Sequence, residues 1–239
     1  MIKMLIAFFF ALTMSATAFE KDVIKTSAGD VEITFIGHAS LMMTHDGKTI
    51  FIDPFGKLAD YTQFPKADLI LITHDHPDHL DTAVIGTIRK SDTQIIANEA
   101  GAKEVEGAVA MKNGDSRTVD DIKIEAVPAY NIKHTRDNGA PFHPKGEGNG
   151  YVLTFGGTRI YIAGDTEGVP EMADLKDIDI AFLPMNLPYT MTPDETATAA
   201  RSFKPKILYP YHTGDTDTQE IVRLLRDTPE IEVRIRPMK

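Results

Sequence analysis

Residues 73–80, Thr-His-Asp-His-Pro-Asp-His-Leu, constrain this chain more than any other stretch. Three of its eight histidines and two aspartates lie within these eight residues. The stretch directly follows the apolar run Leu69-Ile70-Leu71-Ile72, which is typical of a buried strand. Imidazoles and carboxylates collected at the end of a strand are suited to binding metal. The cluster therefore predicts a metal site that other parts of the chain must complete.

The spacing within the cluster favours two ions. His74 and His76 are two residues apart, so in extended backbone both side chains point to the same side and can bind one ion together. Pro77 bends the chain, so Asp78 and His79 can face a second ion. Imidazole and carboxylate ligands suit zinc, and also manganese or iron. A polar loop with solvated histidines is the alternative, and it leaves the position after a buried strand unexplained.

Residues 1–18 have the layout of a secretory signal peptide. Lys3 supplies a positive start, residues 4–14 are almost all apolar, and Ala16-Thr17-Ala18 is a small-x-small cleavage site. An uncleaved membrane anchor is the alternative, but the apolar stretch is shorter than the ~20 residues that span a bilayer. We expect cleavage between Ala18 and Phe19, an exported protein in the periplasm or outside the cell, and no membrane span afterwards. One domain would then cover residues 19–239.

The composition narrows the possible partners. There is no cysteine, so disulfides, thiolate ligands and cysteine nucleophiles are excluded. The formal net charge of -10 argues against nucleic acid, whose phosphates select basic surfaces, and against docking on anionic lipid. A small-molecule or lipid-like substrate is favoured. The sequence does not indicate an oligomeric state.

The remaining sequence predicts a mixed α/β domain built in two successive β-rich halves. Polar residues recur at the ends of apolar strands, where α/β enzymes often place their sites. The predicted strands that lead into such residues cover 31–36, 49–52, 69–72, 158–163, 178–183 and 207–211. A long loop spans residues 129–150. Thr192, Pro193 and Glu195 form a capping box that predicts the start of a helix.

The sequence does not assign a functional role to three polar residues of the first half. His38 and Asp53 each stand at a strand end, where they either line a pocket or bond the backbone. His45 precedes an Asp-Gly hairpin turn, and we expect it to be an exposed turn residue.

The motif His74-x-His76-x-Asp78-His79 resembles the signature of the metallo-β-lactamase-fold hydrolases, and two later motifs of that superfamily are matched by Gly164-Asp165-Thr166 and His212. The branch that includes ascorbate-6-phosphate lactonase-like and N-acylphosphatidylethanolamine phospholipase-like proteins is resembled at Gly37-His38-Ala39-Ser40, Asp53-Pro54-Phe55 and Pro128-Ala129-Tyr130-Asn131. The resemblance extends from about Val31 to His212. It implies a four-layer αββα sandwich with a two-metal site along one edge.

The resemblance also implies a role for each matching ligand. His74 and His76 would bind the first metal, and the second metal would be bound by Asp78, His79 and His212. Asp165 would bridge the two ions, since a carboxylate between them offsets their repulsion. The expected cofactors are therefore two divalent transition-metal ions, zinc first, with manganese or iron as alternatives.

The third ligand of the first metal departs from the pattern. Relatives often carry a histidine where this chain has Asn131, and asparagine is a poor zinc ligand. His143 is the preferred replacement, because Phe142 and Pro144 can fix its direction. The alternatives are Asn131 itself, His134, or no third protein ligand.

The expected activity is that of an exported hydrolase. Two ions would hold a hydroxide between them, oriented by Asp78 as the catalytic carboxylate. The candidate substrate contacts are His38, Asn131 and Tyr189. A lactone, ester or phosphodiester is favoured over a β-lactam, because the true β-lactamases of this superfamily lack a bridging aspartate like Asp165. A non-catalytic metal- or ligand-binding protein on the same scaffold is the other alternative.

Overall fold

A computed structural model describes residues 19–239, so the predicted signal peptide lies outside the described residues. Two seven-stranded sheets pack face to face, with helices on both outer faces. This is the four-layer αββα sandwich, and the predicted fold is confirmed. None of the helices within residues 19–239 combines the length and the apolar composition needed to cross a membrane.

The first sheet contains seven strands that follow one another in chain order. They are β1 (Lys21–Thr26), β2 (Gly29–Gly37), β3 (Ser40–His45), β4 (Lys48–Ile52), β5 (Leu69–Leu71), β6 (Gln94–Ala97) and β7 (Val109–Ala110). Strands β1 to β4 pair antiparallel, whereas β4 to β7 pair parallel.

The second sheet repeats this arrangement. Its strands are β8 (Ser116–Val119), β9 (Ile122–Ala129), β10 (Gly148–Phe155), β11 (Thr158–Ile162), β12 (Ile180–Pro184), β13 (Ile207–Tyr211) and β14 (Glu232–Val233). Strands β8 to β11 pair antiparallel and β11 to β14 parallel, so both sheets change direction after their fourth strand.

Within residues 19–239, four α-helices cover the outer faces. They are α1 (Thr82–Ile88) and α2 (Gly101–Glu104) on the first sheet, and α3 (Pro193–Phe203) and α4 (Gln219–Leu224) on the second. Two short 3₁₀ helices cover Tyr61–Gln63 and Pro170–Asp174. Helix α3 begins with the predicted capping box, in which Thr192 and Glu195 each accept from the other's backbone N–H.

Aromatic and branched side chains fill the space between the sheets. Phe35 of β2 meets Phe182 of β12 and Tyr209 of β13, with ring centroids 6.3 and 5.2 Å apart. All three side chains are fully buried, because each sheet turns one apolar face toward the other. This shared core fixes the two sheets relative to each other and so fixes the edge at which their strands end.

Two features differ from the sequence-based expectations. Strand β1 was not predicted, because its mostly polar residues lack an alternating pattern; it joins the sheet through six backbone pairs with β2. His45 is buried, with only 2% of its surface exposed, so the expectation of an exposed turn residue was wrong. Its ring packs against Phe155 of the second sheet, with centroids 5.0 Å apart.

Candidate metal centre

The candidate site residues lie along one edge of the sandwich, just past the carboxyl ends of strands. His38 follows β2, the cluster of residues 74–79 follows β5, Asp165 follows β11, and His212 follows β13. Strands from both sheets thus deliver side chains to the same place. Parallel strands favour this arrangement, since their carboxyl ends meet at one edge.

The side chains form three overlapping groups in which the potential ligand atoms lie within 4.8 Å of one another. The first group is His74, His76 and His143; the second is His74, His79 and Asp165; the third is His38, Asp78, His79 and His212. All seven predicted metal ligands are therefore gathered, and His38 joins them. The grouping includes two residues, His74 and His79, that each belong to two groups.

The chemistry of the cluster fits a bound cation. Four of its atoms are buried and have no hydrogen-bond partner among the described residues: Nε2 of His74, His79 and His212, and Oδ1 of Asp165. Buried polar atoms are normally hydrogen-bonded, so four orphans in one cluster need an explanation. Imidazole nitrogens and a carboxylate oxygen that converge without hydrogen-bond partners are the donor set of a transition-metal site.

Asp165 lies between the two sets of histidines. Its Oδ2 is 3.3 Å from His143 Nε2 and 3.5 Å from His212 Nε2. Its Oδ1 is 3.4 Å from His79 Nε2. One buried carboxylate is thus in reach of ligands from each predicted metal position, which is the placement expected of a bridging residue.

His143 occupies the corner that the sequence left unsettled. Its Nε2 is 3.3 Å from Nδ1 of His76. On the other side of the ring, His143 donates from its backbone N–H and from Nδ1 to Oδ1 of Asn131, at 2.7 and 2.8 Å. Since the amide oxygen only accepts, Nδ1 must carry the proton, and Nε2 is left with a free lone pair. Asn131 therefore lies behind His143 and orients it.

The other two candidates for this corner are occupied elsewhere. The Nδ2 group of Asn131 donates to Glu167 Oε1 at 3.1 Å and to the Tyr189 carbonyl at 2.9 Å. His134 Nε2 lies 3.2 Å from Glu195 Oε2, outside all three groups. The Asn131 amide is therefore bonded within the protein. The predicted substrate contacts of Asn131, His38 and Tyr189 stay predictions.

Asp53 orients His79 from a fully buried position. His79 Nδ1 donates to Asp53 Oδ2 at 2.8 Å, which leaves Nε2 of His79 free for a metal. Thr73 fixes the carboxylate in turn, since its backbone N–H and its hydroxyl donate at 2.8 and 2.6 Å. Of the two roles that the sequence allows for Asp53, the structure therefore supports a hydrogen bond to a candidate ligand.

One further residue contacts a candidate ligand without having been predicted. The amide of Asn186 is 3.3 Å from His212 Nδ1, and no sequence motif indicates this residue.

The carboxylates of the centre are held in their ionised form. Burial raises the pKa of Asp78, but the His212 ring 3.7 Å away and the hydrogen bond with His38 outweigh burial and hold that pKa well below its usual range. Burial likewise raises the pKa of Asp165, and the charges of His212 and His79 bring it below the usual range. The carboxylates of Asp78 and Asp165 are therefore both available as anionic ligands.

The histidines divide into two kinds. Burial lowers the pKa of His143 to about 4, and burial together with the neighbouring His79 lowers the pKa of His74 well below its usual value. These rings are neutral and ready to bind. Burial also acts to lower the pKa of His79, but the charges of Asp165 and Asp53 raise it to about 9. A metal ion at His79 therefore displaces a proton.

The backbone turns sharply where the site residues leave their strands. The backbone φ angles are 52° at His38, 43° at Asp53 and 47° at His212. They lie in the left-handed region that residues other than glycine rarely adopt. Gly164 has a φ of 67°, and a Cβ there would lie 2.8 Å from the Asn149 carbonyl oxygen. Such strained positions cluster at functional sites, where the surrounding structure enforces them.

A cleft of about 430 Å³ opens over the centre. Its floor contains His38, Asp78, His143, Asp165 and His212, and its wall is completed by residues that include Arg136, Phe142 and Tyr189. Tyr189 lines the cleft and is 45% exposed, so it lies on the solvent side of the cleft. The volume suits a small molecule or one part of a larger one.

Comparison with known proteins points the same way. A family model described as a beta-lactamase superfamily domain matches residues 32–212. A UPF0173 metal-dependent hydrolase from Thermococcus kodakarensis is 34% identical over 221 residues, which cover 85% of this chain and 96% of that protein. A Koribacter versatilis protein of the same description is 34% identical over 198 residues, covering 77% and 84%.

Solved structures are also similar. The crystal structure of a Parabacteroides distasonis protein, assigned as a metal-dependent hydrolase, is 56% identical and superposes with a TM-score of 0.89, covering 92% of this chain and all (100%) of the other. Igni18, a metallo hydrolase from Ignicoccus hospitalis, is 24% identical with a TM-score of 0.70, covering 87% and 96%. The second likeness is one of fold.

Proposed function

The chain belongs to the metallo-β-lactamase superfamily of metal-dependent hydrolases, and we propose that its centre binds two divalent transition-metal ions and cleaves a lactone, carboxylic ester or phosphodiester. The position of Asp165 carries this proposal. Its two oxygens lie 3.3–3.5 Å from histidines of both predicted metal positions. A single ion would need only one of these sets.

The ligands divide between the ions as follows. His74, His76 and His143 would hold the first ion, and Asp78, His79 and His212 the second, with Asp165 between them. Zinc is the favoured metal, with manganese or iron as alternatives, because imidazole and carboxylate ligands suit all three. When bound, such ions lower the pKa of water and polarise the attacked carbonyl or phosphoryl oxygen.

The protein's own groups then orient the reactants. The Asp78 carboxylate stays ionised and accepts a hydrogen bond from the attacking water. His38 Nε2 lies 3.0 Å from Asp78 Oδ2 and donates to that oxygen, which orients the carboxylate. Tyr189, on the open side of the cleft, is placed to donate to the leaving group.

The same reasoning extends to substrate and location. The acidic chain favours a small-molecule or lipid-like substrate over nucleic acid. A bridging position for Asp165 argues against β-lactams. The signal-peptide layout of residues 1–18 supports export to the periplasm or beyond the cell. The non-catalytic alternative is disfavoured, since no corner of the centre lacks a ligand.

Metal analysis combined with a substrate screen tests the proposal. The purified chain, loaded with zinc or manganese, should contain close to two ions and hydrolyse a member of a panel of lactones, phosphodiesters, phospholipids and β-lactams. Asp165→Ala should lose at least one ion and about a thousandfold in turnover. Asp174→Ala, at an exposed carboxylate distant from the centre, is the matched control. Full loading of Asp165→Ala would contradict a bridging role.

A further inference from the structure

Arg136 brings a fixed positive charge to the metal cleft. Among the described residues that line this cleft, it is the one lysine or arginine. The remaining polar lining consists of the candidate metal residues, Asn186 and Tyr189. On a chain with a formal net charge of -10, a guanidinium placed at the mouth of the centre is a marked local exception.

A folded turn holds Arg136 in place. Its backbone N–H donates to the Ala140 carbonyl at 2.7 Å, and Gly139 donates back to the Arg136 carbonyl at 2.8 Å. Thr135 and Pro141 form an isolated bridge around the same turn. The position of this residue is therefore set by backbone bonds rather than by a freely moving loop.

The same segment is anchored at its base, close to the metal centre. The Glu167 carboxylate, only 3% exposed as a residue, accepts from the backbone N–H groups of Lys133 and His134 at 2.7–3.0 Å. At the other end of the segment stands His143, a candidate metal ligand. The segment of residues 133–143 thus supplies both a candidate ligand and the Arg136 guanidinium.

The Arg136 guanidinium retains donors for a ligand. Its Nη2 donates to the Phe142 carbonyl at 3.2 Å, and its Cζ lies 5.1 Å from the centroid of the Phe142 ring. No carboxylate within residues 19–239 pairs with it. Since a guanidinium carries five N–H donors, most of them remain available in a geometry that matches a carboxylate or phosphate.

An aromatic wall adjoins this cation. The rings of Phe142 and Tyr189 meet edge to face, with centroids 5.1 Å apart and planes at 76°. Arg136 and this wall line the same cleft as the candidate metal residues, so a substrate in the cleft can contact both.

We propose that the substrate carries an anionic group, a carboxylate or a phosphate, away from the bond that is cleaved, and that Arg136 binds this group while the apolar part of the substrate packs on Phe142 and Tyr189. The proposal rests on the hydrolase function above and names its substrate class: an anionic ester, lactone or phosphodiester with an apolar or planar portion. Arg136 is then a specificity-determining residue.

Paired hydroxamates test this assignment without turnover. Each compound would share a metal-binding hydroxamate and an aryl spacer, and would end in a carboxylate, a phosphate or a neutral carboxamide. Calorimetry on the zinc-loaded full chain should show the anionic compounds binding roughly tenfold more tightly than the neutral one. The stronger of the two anionic compounds identifies the group that Arg136 accepts.

Arginine variants assign the difference to one side chain. Arg136→Gln should abolish the preference for the anionic compounds, and Arg136→Lys should restore part of it by retaining the charge without the planar fork. Arg226→Gln removes an exposed arginine outside the cleft and should keep the full preference.

Each remaining outcome counts against the proposal in a distinct way. Equal affinity of the wild-type chain for charged and neutral compounds, or an unchanged preference in Arg136→Gln, would overturn the substrate class alone. Failure of every hydroxamate to bind would overturn the metal-site function and the substrate class together.

Discussion

At the scale of single residues, Asn131 and His143 show how a candidate ligand can come from another position in the chain. The chain has asparagine where relatives often carry histidine, and the imidazole instead arrives from His143, twelve residues further along. The amide oxygen of Asn131 accepts two bonds from His143. A ligand carried by a loop needs such a holder, because the loop alone leaves the ring free to rotate.

Replacing this holder should weaken metal binding. In Asn131→Ala, His143 loses both hydrogen bonds and Nδ1 loses the acceptor that fixes its tautomer. We expect affinity for the first ion to fall by about 10–100-fold while the second ion is retained. Competition with a chromophoric chelator would measure both affinities. Asn131→Asp keeps the accepting oxygen and should lose less; equal losses in the two variants would contradict this role.

At the scale of elements, the strands that carry the site had to end abruptly. Gly164 allows this after β11, because its left-handed backbone turns Asp165 into the cluster. A methyl group there would lie 2.8 Å from the Asn149 carbonyl oxygen and 3.1 Å from Thr73 Cβ. Neither neighbour can move away freely, since the Asn149 backbone is itself bonded to Thr73.

Gly164→Ala should therefore destabilise the protein by about 2–4 kcal/mol, the sum of a left-handed backbone and a close contact. Gly86→Ala is the matched control: Gly86 lies in α1, where a Cβ meets nothing within 4 Å, and the change should stabilise by about 0.5–1 kcal/mol. Urea unfolding of both variants measures the difference. A loss below 1 kcal/mol in Gly164→Ala would show that the turn relaxes.

The elements also show what a sequence can reveal. Strand β13 and the start of α3 were predicted at their observed residues, because a periodic apolar run and a capping box are local signals. Strand β1 was missed, since backbone pairing with β2 holds it rather than apolar side chains. Edge strands of this kind carry little local pattern.

The site follows the same rule. Spacing in the sequence indicates the candidate ligands His74, His76, Asp78 and His79. Asn186, in contrast, is brought to His212 only by tertiary packing. The choice of His143 was favoured by its neighbours in sequence but needed the structure to place it beside His76. Residues that hold ligands are found by proximity in space, and proximity is the information that one sequence lacks.

At the scale of the whole molecule, the centre joins both sheets and so couples metal binding to folding. His79 of the first half binds its proton more tightly in the folded chain than in the unfolded one, with a pKa of about 9 against the ordinary 6.5. In the metal-free protein, the resulting stabilisation is complete below pH 6.5 and is lost as the pH rises through about 9.

We therefore expect the chelated protein to lose stability from pH 6.5 to 9, by up to about 1.4 kcal/mol per pH unit. In the metal-loaded protein an ion replaces the proton at His79 Nε2, so this loss should disappear. Urea unfolding at several pH values, with and without chelator, gives both curves. Asp53→Asn removes one of the charges that raise the His79 pKa, so the stability of the chelated variant should depend less on pH. Identical pH dependence of the chelated and metal-loaded wild-type protein would contradict the role of His79.

The repeated order of the two sheets has a consequence for the ancestry of this centre. Matching strands β4 and β11 lead into Asp53 and Asp165, and matching strands β6 and β13 lead into Asn98 and His212. In each pair, one member is a candidate ligand and the other secures a ligand segment: Asp53 bonds His79, and Asn98 donates to the Asp75 carboxylate. Duplication of a half-length ancestor would leave this division of roles at each matched pair, with one residue becoming a candidate ligand and its counterpart supporting a ligand segment. Superposing β1–β7 on β8–β14 should then bring the end of β4 onto that of β11 and the end of β6 onto that of β13.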